Sequence, residues 1–195
     1  MVKAFLHLIC SFGRSRGFGV QSPTDYAYLR YVLCESWPYY AYRRLRRVHK
    51  DANRSHHRLG RLLLRVANDL QPGKVFLFTR QDTLLFDYVL AGCRSALPSS
   101  MMSDAQLCVL DAVSWTDGVS SSEMSSRGEE GLLTPPLSVL VMTRIHGNNA
   151  SEQLWRQLQE DQRTMSSYDF FQFGVIVVGH RDCPHHYLVS PLWDM

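Results

Sequence analysis

The chain has 195 residues, of which 45% are hydrophobic and 20% are charged, and its formal net charge is +3. This composition suits one globular domain with a sizeable core, and it excludes collagen, a coiled coil and wholesale disorder. The longest apolar runs, such as residues 137–142, are far shorter than the roughly 20 residues of a membrane-spanning helix. A membrane-spanning protein is therefore excluded, and we expect no membrane partner.

The five cysteines predict neither a disulfide framework nor a zinc site. They are widely scattered, odd in number and without a C-x-x-C pair, which indicates thiols that stay reduced in the cytosol. We therefore expect a cytoplasmic protein that holds no metal. Residues 1–10 faintly resemble a signal peptide, but His7 interrupts their apolar stretch and no small-residue cleavage site follows. We interpret them as the first turns of an amphipathic helix.

Positive charge is concentrated in the first third of the chain. Residues 1–65 hold 13 Lys and Arg against 3 Asp and Glu, a net charge of +10, whereas residues 66–195 hold 8 against 15, a net charge of −7. The candidate polyanion-binding residues are Arg43, Arg44, Arg46, Arg47, Lys50, Arg54 and Arg58.

A basic cluster of this density suits a phosphate-binding face, because each Lys or Arg that neutralises a phosphate releases counterions. Aromatic side chains just upstream could stack on nucleic-acid bases. They are Trp37, Tyr39, Tyr40 and Tyr42. The first interpretation is thus a site for nucleic acid or another polyanion. The alternative is a solvated helical face that balances the acidic remainder of the molecule.

Two helices are predicted in the basic part of the chain. Ser22 and Pro23 suit a helix start, since serine caps free N–H groups and proline fits the first helical position. Apolar residues then recur at helical spacing until Trp-Pro at residues 37–38 ends the helix. A second apolar stripe predicts a helix over Arg54–Leu70, which Gln-Pro-Gly at residues 71–73 stops.

Short apolar runs without a helical period follow. They predict buried strands over residues 75–79, Leu107–Asp111 and residues 137–142. Residues 114–136 are rich in Ser, Gly, Glu and Pro, and this composition predicts a mostly irregular loop between the last two strands.

Helices are predicted between and after these strands. Asp82 is positioned to cap the first, and Asn149 with Glu152 has the spacing of a capping box before the second. Residues 170–178 and 185–190 are strand-like and joined by a turn, which predicts an antiparallel hairpin. This order of elements indicates an α/β sandwich with a mainly parallel sheet.

Four segments resemble one family, and they occur in the family's order. They are residues 16–23 (RGFGVQSP), 38–42 (PYYAY), 60–72 (GRLLLRVANDLQP) and 169–178 (DFFQFGVIVV). They resemble the class I S-adenosylmethionine-dependent methyltransferases, in a bacterial branch with a helical N-terminal extension. The resemblance implies a helical extension over residues 1–53. Over residues 54–195 it implies a reduced Rossmann-like three-layer sandwich with a mainly parallel sheet and a C-terminal antiparallel hairpin.

The turn after the first strand departs from the family pattern. The family has an E-x-G-x-x-x-G turn, in which an acidic residue ends the strand and glycines let the backbone approach the cofactor. Here the acidic position falls on Leu77 and the two glycines on Thr79 and Thr83. Side chains at this turn would crowd S-adenosylmethionine. Arg80 also adds positive charge near its cationic sulfonium, unless the carboxylate of Asp82 offsets it.

A second departure follows the strand at residues 137–142. Where relatives have an acidic pair, and metal-dependent members hold Mg²⁺, this chain has Thr143 and Arg144, which are poor Mg²⁺ ligands. Asp111 ends a predicted strand, so it is either a ribose contact in an open α/β sheet or a capping or loop carboxylate. The candidate cofactor-binding residues are Thr79, Asp82, Thr83, Asp111 and His146.

These departures predict a degenerate methyltransferase-like protein without efficient catalysis, which acts as a scaffold and binds a partner or a polyanion through residues 39–65. The alternative is an active methyltransferase with an altered pocket, since methyl transfer can proceed by proximity and orientation with little acid–base help. S-adenosylmethionine is the cofactor that the resemblance implies. The sequence nominates no catalytic residue.

Overall fold

The computed structural model describes residues 19–118 and 132–189. The helix predicted over residues 1–10, much of the predicted loop and the end of the last predicted strand lie outside these residues. The described chain begins with three helices: α1 (Pro23–Tyr28), continued by a π-helical turn (Leu29–Leu33), then α2 (Tyr40–Val48) and α3 (Arg54–Leu70).

The predicted starts of α1 and α3 are confirmed. Ser22 Oγ accepts a hydrogen bond from the third residue of α1 (3.3 Å), and Pro23 occupies the first helical position. Asn53 caps α3 by accepting a bond from a backbone N–H of its first turn (2.9 Å). The sequence analysis did not predict helix α2, because its four arginines obscure a short apolar stripe at Ala41, Leu45 and Val48, of which only Leu45 is buried.

Strands and helices alternate after α3. They are β1 (Lys74–Phe78), α4 (Asp82–Gly92), β2 (Leu97–Ser99), β3 (Leu107–Asp111), α5 (Ala112–Gly118), β4 (Val139–Thr143), α6 (Asn149–Glu160), β5 (Thr164–Asp169), β6 (Phe173–Val178) and β7 (His185–Leu188). These seven strands form one sheet of order β2-β1-β3-β4-β6-β5-β7. The pairs β1–β2, β1–β3, β3–β4 and β5–β7 are parallel, and β6 is antiparallel to both β4 and β5. The predicted mainly parallel, Rossmann-like sheet is confirmed.

A C-terminal antiparallel hairpin is present as predicted, but the predicted pairing of residues 170–178 with residues 185–190 is wrong. It consists of β5 and β6, whereas β7 lies parallel to β5 on the other side, with Tyr168 opposite Tyr187. The prediction missed β5 because its sequence, Thr-Met-Ser-Ser-Tyr-Asp, is polar. Ser166 and Ser167 are nevertheless buried, and the Ser167 hydroxyl lies 2.9 Å from Nδ1 of His186. A buried hydroxyl costs little when it is paired in this way.

Two helix starts differ from the prediction. Asp82 is the first residue of α4 rather than its cap. The capping box of α6 lies at Asn148 and Ser151, one residue earlier than predicted: Asn148 Oδ1 accepts from the backbone N–H of Ser151 (2.7 Å), and Ser151 Oγ accepts from that of Asn148 (3.0 Å). A serine hydroxyl therefore replaces the longer acidic side chain that a capping box usually has.

Helices cover both faces of the sheet, so the fold is a three-layer sandwich. One face, which includes Val109 and Val141, packs in one apolar cluster with α1 to α4. The other face, which includes Leu110 and Met142, packs against α5 and α6. Alternate residues of β3 and β4 thus enter opposite layers, as strand geometry requires. Within the first layer α3 and α4 approach so closely that a Cβ on Gly92 would overlap the carbonyl oxygen of Leu64.

Two buried charged side chains fix the N-terminal helices to the sandwich. Arg65, 2% exposed, donates hydrogen bonds to the carbonyl oxygens of Val32 (3.0 Å) and Leu33 (2.9 Å). Asp25 in α1 lies 2.6 Å from Nδ1 of His185 in β7 and accepts a bond from the guanidinium of Arg181 (2.7 Å). Burial opposes ionisation of Asp25, but these bonds lower its pKa, so the carboxylate stays charged and paired.

Candidate functional site

The strand order reverses at β1, because the chain runs from β1 to β2 on one side and returns to β3 on the other. Open α/β sheets bind ligands outside the carboxyl ends of the strands at such a point. A cavity of about 530 Å³ lies there, and we call it the central cavity. Its lining includes Thr79, Arg80, Gln81, Asp111, Thr143, Arg144, His146 and Gly147 after the parallel strands, Phe171, Gln172 and Phe173 at the β5–β6 turn, and Ser55, His56 and Leu59 in α3.

The carboxylate of Asp111 is occupied by Arg144. Nε of Arg144 lies 2.9 Å from both carboxylate oxygens of Asp111, and its Nη2 donates to the same carboxylate and to Ser114 Oγ (2.9 Å). Asp111 also accepts a bond from the backbone N–H of Ser114 (3.1 Å), near the start of α5. From the sequence, this carboxylate was either a ribose contact or a capping or loop carboxylate. In the structure it caps α5 and pairs with Arg144.

His146 lies between two carboxylates. Its Nε2 is 2.9 Å from Oδ2 of the buried Asp169, and its Nδ1 is 3.6 Å from Oε1 of Glu152. The hydrogen bond to Asp169 and the charge of Glu152 raise the pKa of His146, although burial opposes them. Its ring stacks on Phe171 at 5.3 Å. Because both ring nitrogens face acidic partners, this histidine is suited to hold the cavity wall together rather than to accept a substrate proton.

The glycine-free turn after β1 is held by its own side chains. Oδ1 of Asp82 accepts hydrogen bonds from the backbone N–H (3.0 Å) and the hydroxyl (2.9 Å) of Thr79. Thr79 lines the central cavity, whereas Asp82 and Thr83 are exposed and do not. Three of the five predicted cofactor-binding residues therefore meet in one cavity, and two lie beside it.

Several lining residues were not predicted as site residues. Arg144 and Phe171 have φ angles of 53° and 70°, a left-handed conformation that non-glycine residues adopt at a cost and that clusters at functional sites. The backbone N–H of Arg144 donates to the carbonyl oxygen of Gln172 (2.8 Å), which joins the end of β4 to the β5–β6 turn. His56 also lines the cavity, and nothing in the sequence distinguishes it from neighbouring polar residues of α3.

The predicted basic cluster forms a second site. A concave surface between the end of α2 and the first turns of α3, which we call the basic groove, is lined by Arg46, Lys50, Ala52, Arg54, His57, Arg58 and Arg61. Arg61 also lies 5.1 Å above the ring of Tyr42. Burial lowers the pKa of His57, which lies 3.1 Å from the carbonyl oxygen of His49, so the five Lys and Arg residues carry the positive charge.

A third concave surface lies on the other side of α2. This aromatic groove is lined by Tyr39, Tyr40, Ala41, Arg44, Leu45, Val48, Asp87, Leu90, Ala91 and Arg94. Of the seven predicted polyanion-binding residues, Arg44 thus lies in the aromatic groove, and Arg46, Lys50, Arg54 and Arg58 lie in the basic groove. Arg43 and Arg47 are exposed on α2 and line neither groove.

Within residues 19–118 and 132–189, no group of three or more His, Cys, Asp or Glu side chains is arranged to hold a metal ion. No helix in the described part of the chain is long and apolar enough to cross a membrane.

No protein-family model, curated protein or solved structure matches this chain. The methyltransferase resemblance therefore stays a hypothesis drawn from the sequence. The function has to be argued from the geometry of the central cavity and the two grooves.

Proposed function

We propose that this protein is a degenerate methyltransferase-like scaffold, without efficient catalysis, that binds nucleic acid in the cytoplasm through its basic groove. The observation that carries the proposal is the concentration of charge: five Lys and Arg side chains line one concave surface, and none of its described lining residues is a carboxylate. Among the described residues, Arg46, Lys50, Arg54 and Arg58 form no ion pair, so these charges are available to phosphates.

The central cavity supports the non-catalytic part of the proposal. The carboxylate of Asp111 is engaged by Arg144, and both ring nitrogens of His146 face carboxylates. Among the described residues that line the cavity, Asp111 and His146 are thus engaged by other side chains, and His56, whose Nδ1 has no hydrogen-bond partner, is the remaining candidate for a general base. Thr79 and Arg80 line the cavity at the turn after β1. Their side chains would keep the backbone of this turn away from a bound cofactor, which a glycine-rich turn would allow to approach closely.

The test is a binding titration with a fluorescein-labelled 20-nucleotide RNA, followed by anisotropy at several salt concentrations. If each of the five side chains neutralises one phosphate, log K falls with log salt with a slope of about −3.5 for a single strand. Affinity then drops about 100-fold between about 50 and 200 mM salt. If the basic groove binds the RNA, Arg54→Gln should make this slope shallower by about 0.7, because one phosphate contact is lost.

Arg156→Gln is the matched control, because Arg156 is equally an exposed helical arginine but lies in α6, outside the groove. It removes the same charge and is expected to leave the slope unchanged. Equal effects of the two substitutions, or no binding at low salt, would overturn the proposal. Displacement of the RNA by heparin at equal charge concentration would show a site for polyanions in general rather than for nucleic acid.

S-adenosylmethionine-dependent methyl transfer is the second candidate, and the central cavity is the observation that favours it. The cavity lies at the reversal of strand order and contains Thr79, Asp111 and His146. Calorimetric titration with S-adenosylmethionine and S-adenosylhomocysteine tests this candidate. Micromolar binding would favour an active enzyme, and the absence of binding at millimolar ligand would favour the scaffold.

A further inference from the structure

The largest exposed aromatic surface of the described chain lies beside its largest concentration of positive charge. Tyr40, the first residue of α2, has a fully exposed side chain (101%), and Trp37 is 75% exposed. Exposed apolar surface with a polar rim often marks an interaction site, and Tyr40 lies in a groove that apolar and charged residues line together. The proposed binding of phosphates leaves these rings without a function.

Helix α2 separates the two grooves, and its side chains are sorted between them. Tyr40, Arg44 and Val48 are spaced four residues apart, so they form one row along the helix, and this row lines the aromatic groove. Arg46 lies on the side that lines the basic groove. The exposed Arg43, at 100° per residue, falls between these two rows. Positive charge therefore continues from one groove to the other across the helix.

The aromatic groove is itself suited to a negatively charged chain with planar bases. Arg44 and Arg94 line it, and Asp87, the one carboxylate among its described lining residues, lies 2.7 Å from Nε2 of His49. Tyr39 is held in place because its hydroxyl donates to Glu35 (2.7 Å). The ring of Tyr40 has no such partner among the described residues and is free to receive a base.

We infer that α2 is the helix that binds a single-stranded nucleic acid. The phosphates of the strand occupy the basic groove, and one of its bases stacks on Tyr40 on the other side of the helix. This inference rests on the proposed function and narrows it. A helix with its side chains is about 10–12 Å wide, a distance that a flexible single strand can bridge. In a duplex the faces of the bases are stacked inside the helix, so Tyr40 could not reach them.

The test compares a single-stranded RNA with the same sequence annealed to its complement, each titrated into the full chain. The variants are Tyr40→Leu, which removes the aromatic face, and Tyr40→Phe, which keeps it. We expect the wild type to prefer the single strand. Tyr40→Leu should weaken single-strand binding about 5-fold to 150-fold, the range that alanine substitutions give for one base stacked on one ring, and leave duplex binding unchanged. Tyr40→Phe should retain nearly full affinity.

Because Tyr40 is fully exposed, neither substitution is expected to disturb folding, and a circular dichroism melt checks this. Equal affinity for both nucleic acids, with no effect of Tyr40→Leu, would overturn the inference and leave the proposed function standing. Failure of both nucleic acids to bind would overturn the two together. A parallel titration with single-stranded DNA shows whether the 2′-hydroxyl contributes.

Discussion

The pairing of Asp111 with Arg144 can be tested by a double-mutant cycle. Asp111 is 9% exposed, and a hydrogen bond to a charged group contributes about 1.5–3 kcal/mol when it is shielded from water. The Arg144 side chain is 46% exposed, so solvent screening reduces this value. We therefore expect a coupling energy of about 1–2 kcal/mol between the two side chains.

Asparagine is the substitution that isolates the ion pair at both positions. At position 144 the φ of 53° lies in the left-handed region, which asparagine tolerates better than alanine does. Arg144→Asn thus removes the guanidinium without adding backbone strain. Asp111→Asn removes the charge and keeps an oxygen that can accept the bond from the backbone N–H of Ser114.

The assay is urea denaturation of the wild type, the two single variants and the double variant. Each single variant should lose about 1–2 kcal/mol of unfolding free energy, about 2–8 °C in Tm for a chain of this size. Lys74 and Asp104, an exposed pair at 3.2 Å, provide the control cycle and should couple by less than about 0.5 kcal/mol. A coupling between Asp111 and Arg144 as small as that of the control would refute the claim that Arg144 occupies this carboxylate.

Three further predictions concern stability. Gly92→Ala should destabilise the fold by about 1–3 kcal/mol in urea denaturation, because the new methyl group displaces the backbone of α3 at Leu64. Unchanged stability would mean that α3 and α4 pack less closely than the structure shows. Arg65→Lys should lower the free energy of unfolding by about 2–3 kcal/mol, because an ammonium group cannot donate to both carbonyl oxygens with the geometry of the guanidinium. A Tm within 1 °C of the wild type would contradict this. Asp169 raises the pKa of His146 in the folded state, so protonated His146 stabilises the fold fully below the unfolded pKa of 6.5, and this stabilisation is lost as the pH rises through the folded pKa. The difference in unfolding free energy between the wild type and His146→Gln should therefore shrink above pH 6.5. A difference that grows with pH would contradict this.

The parts of the fold that follow from apolar pattern were predictable from the sequence. The run at Leu107–Asp111 is buried at every position, as a central parallel strand requires, and α3 has the predicted bounds. The pairing of β5 with β6 was not predictable, because most buried residues of β5 are polar, including Ser166 and Ser167, and Tyr168 is the one that joins the apolar core. No periodicity rule recognises a strand whose burial depends on partners far away in the sequence.

The candidate sites also include some features that could be predicted from the sequence and others that could not. Asp111 and His146 were candidates because they lie at or after strand ends, and Thr79 because the resemblance places it on a glycine of the family's turn. Strand ends meet at one edge of a parallel sheet, so all three share the central cavity. The occupation of Asp111 was not predictable, because it depends on a backbone turn that brings Arg144 back over a strand 33 residues away. The basic cluster was visible as composition, but its separation into two grooves depends on how α2 packs beside α3 and α4, which the sequence pattern does not reveal.

The contact of Asp25 with Arg181 and His185 joins residues separated by 156 and 160 positions. On a ribosome, α1 is synthesised long before its partner strand exists, so this contact forms only after β7 has been made. Contacts of such long sequence separation slow folding, because a large loop must close before the contact gains energy. Docking of α1 onto β7 is therefore expected to follow the assembly of the strands that lie between them in the sequence.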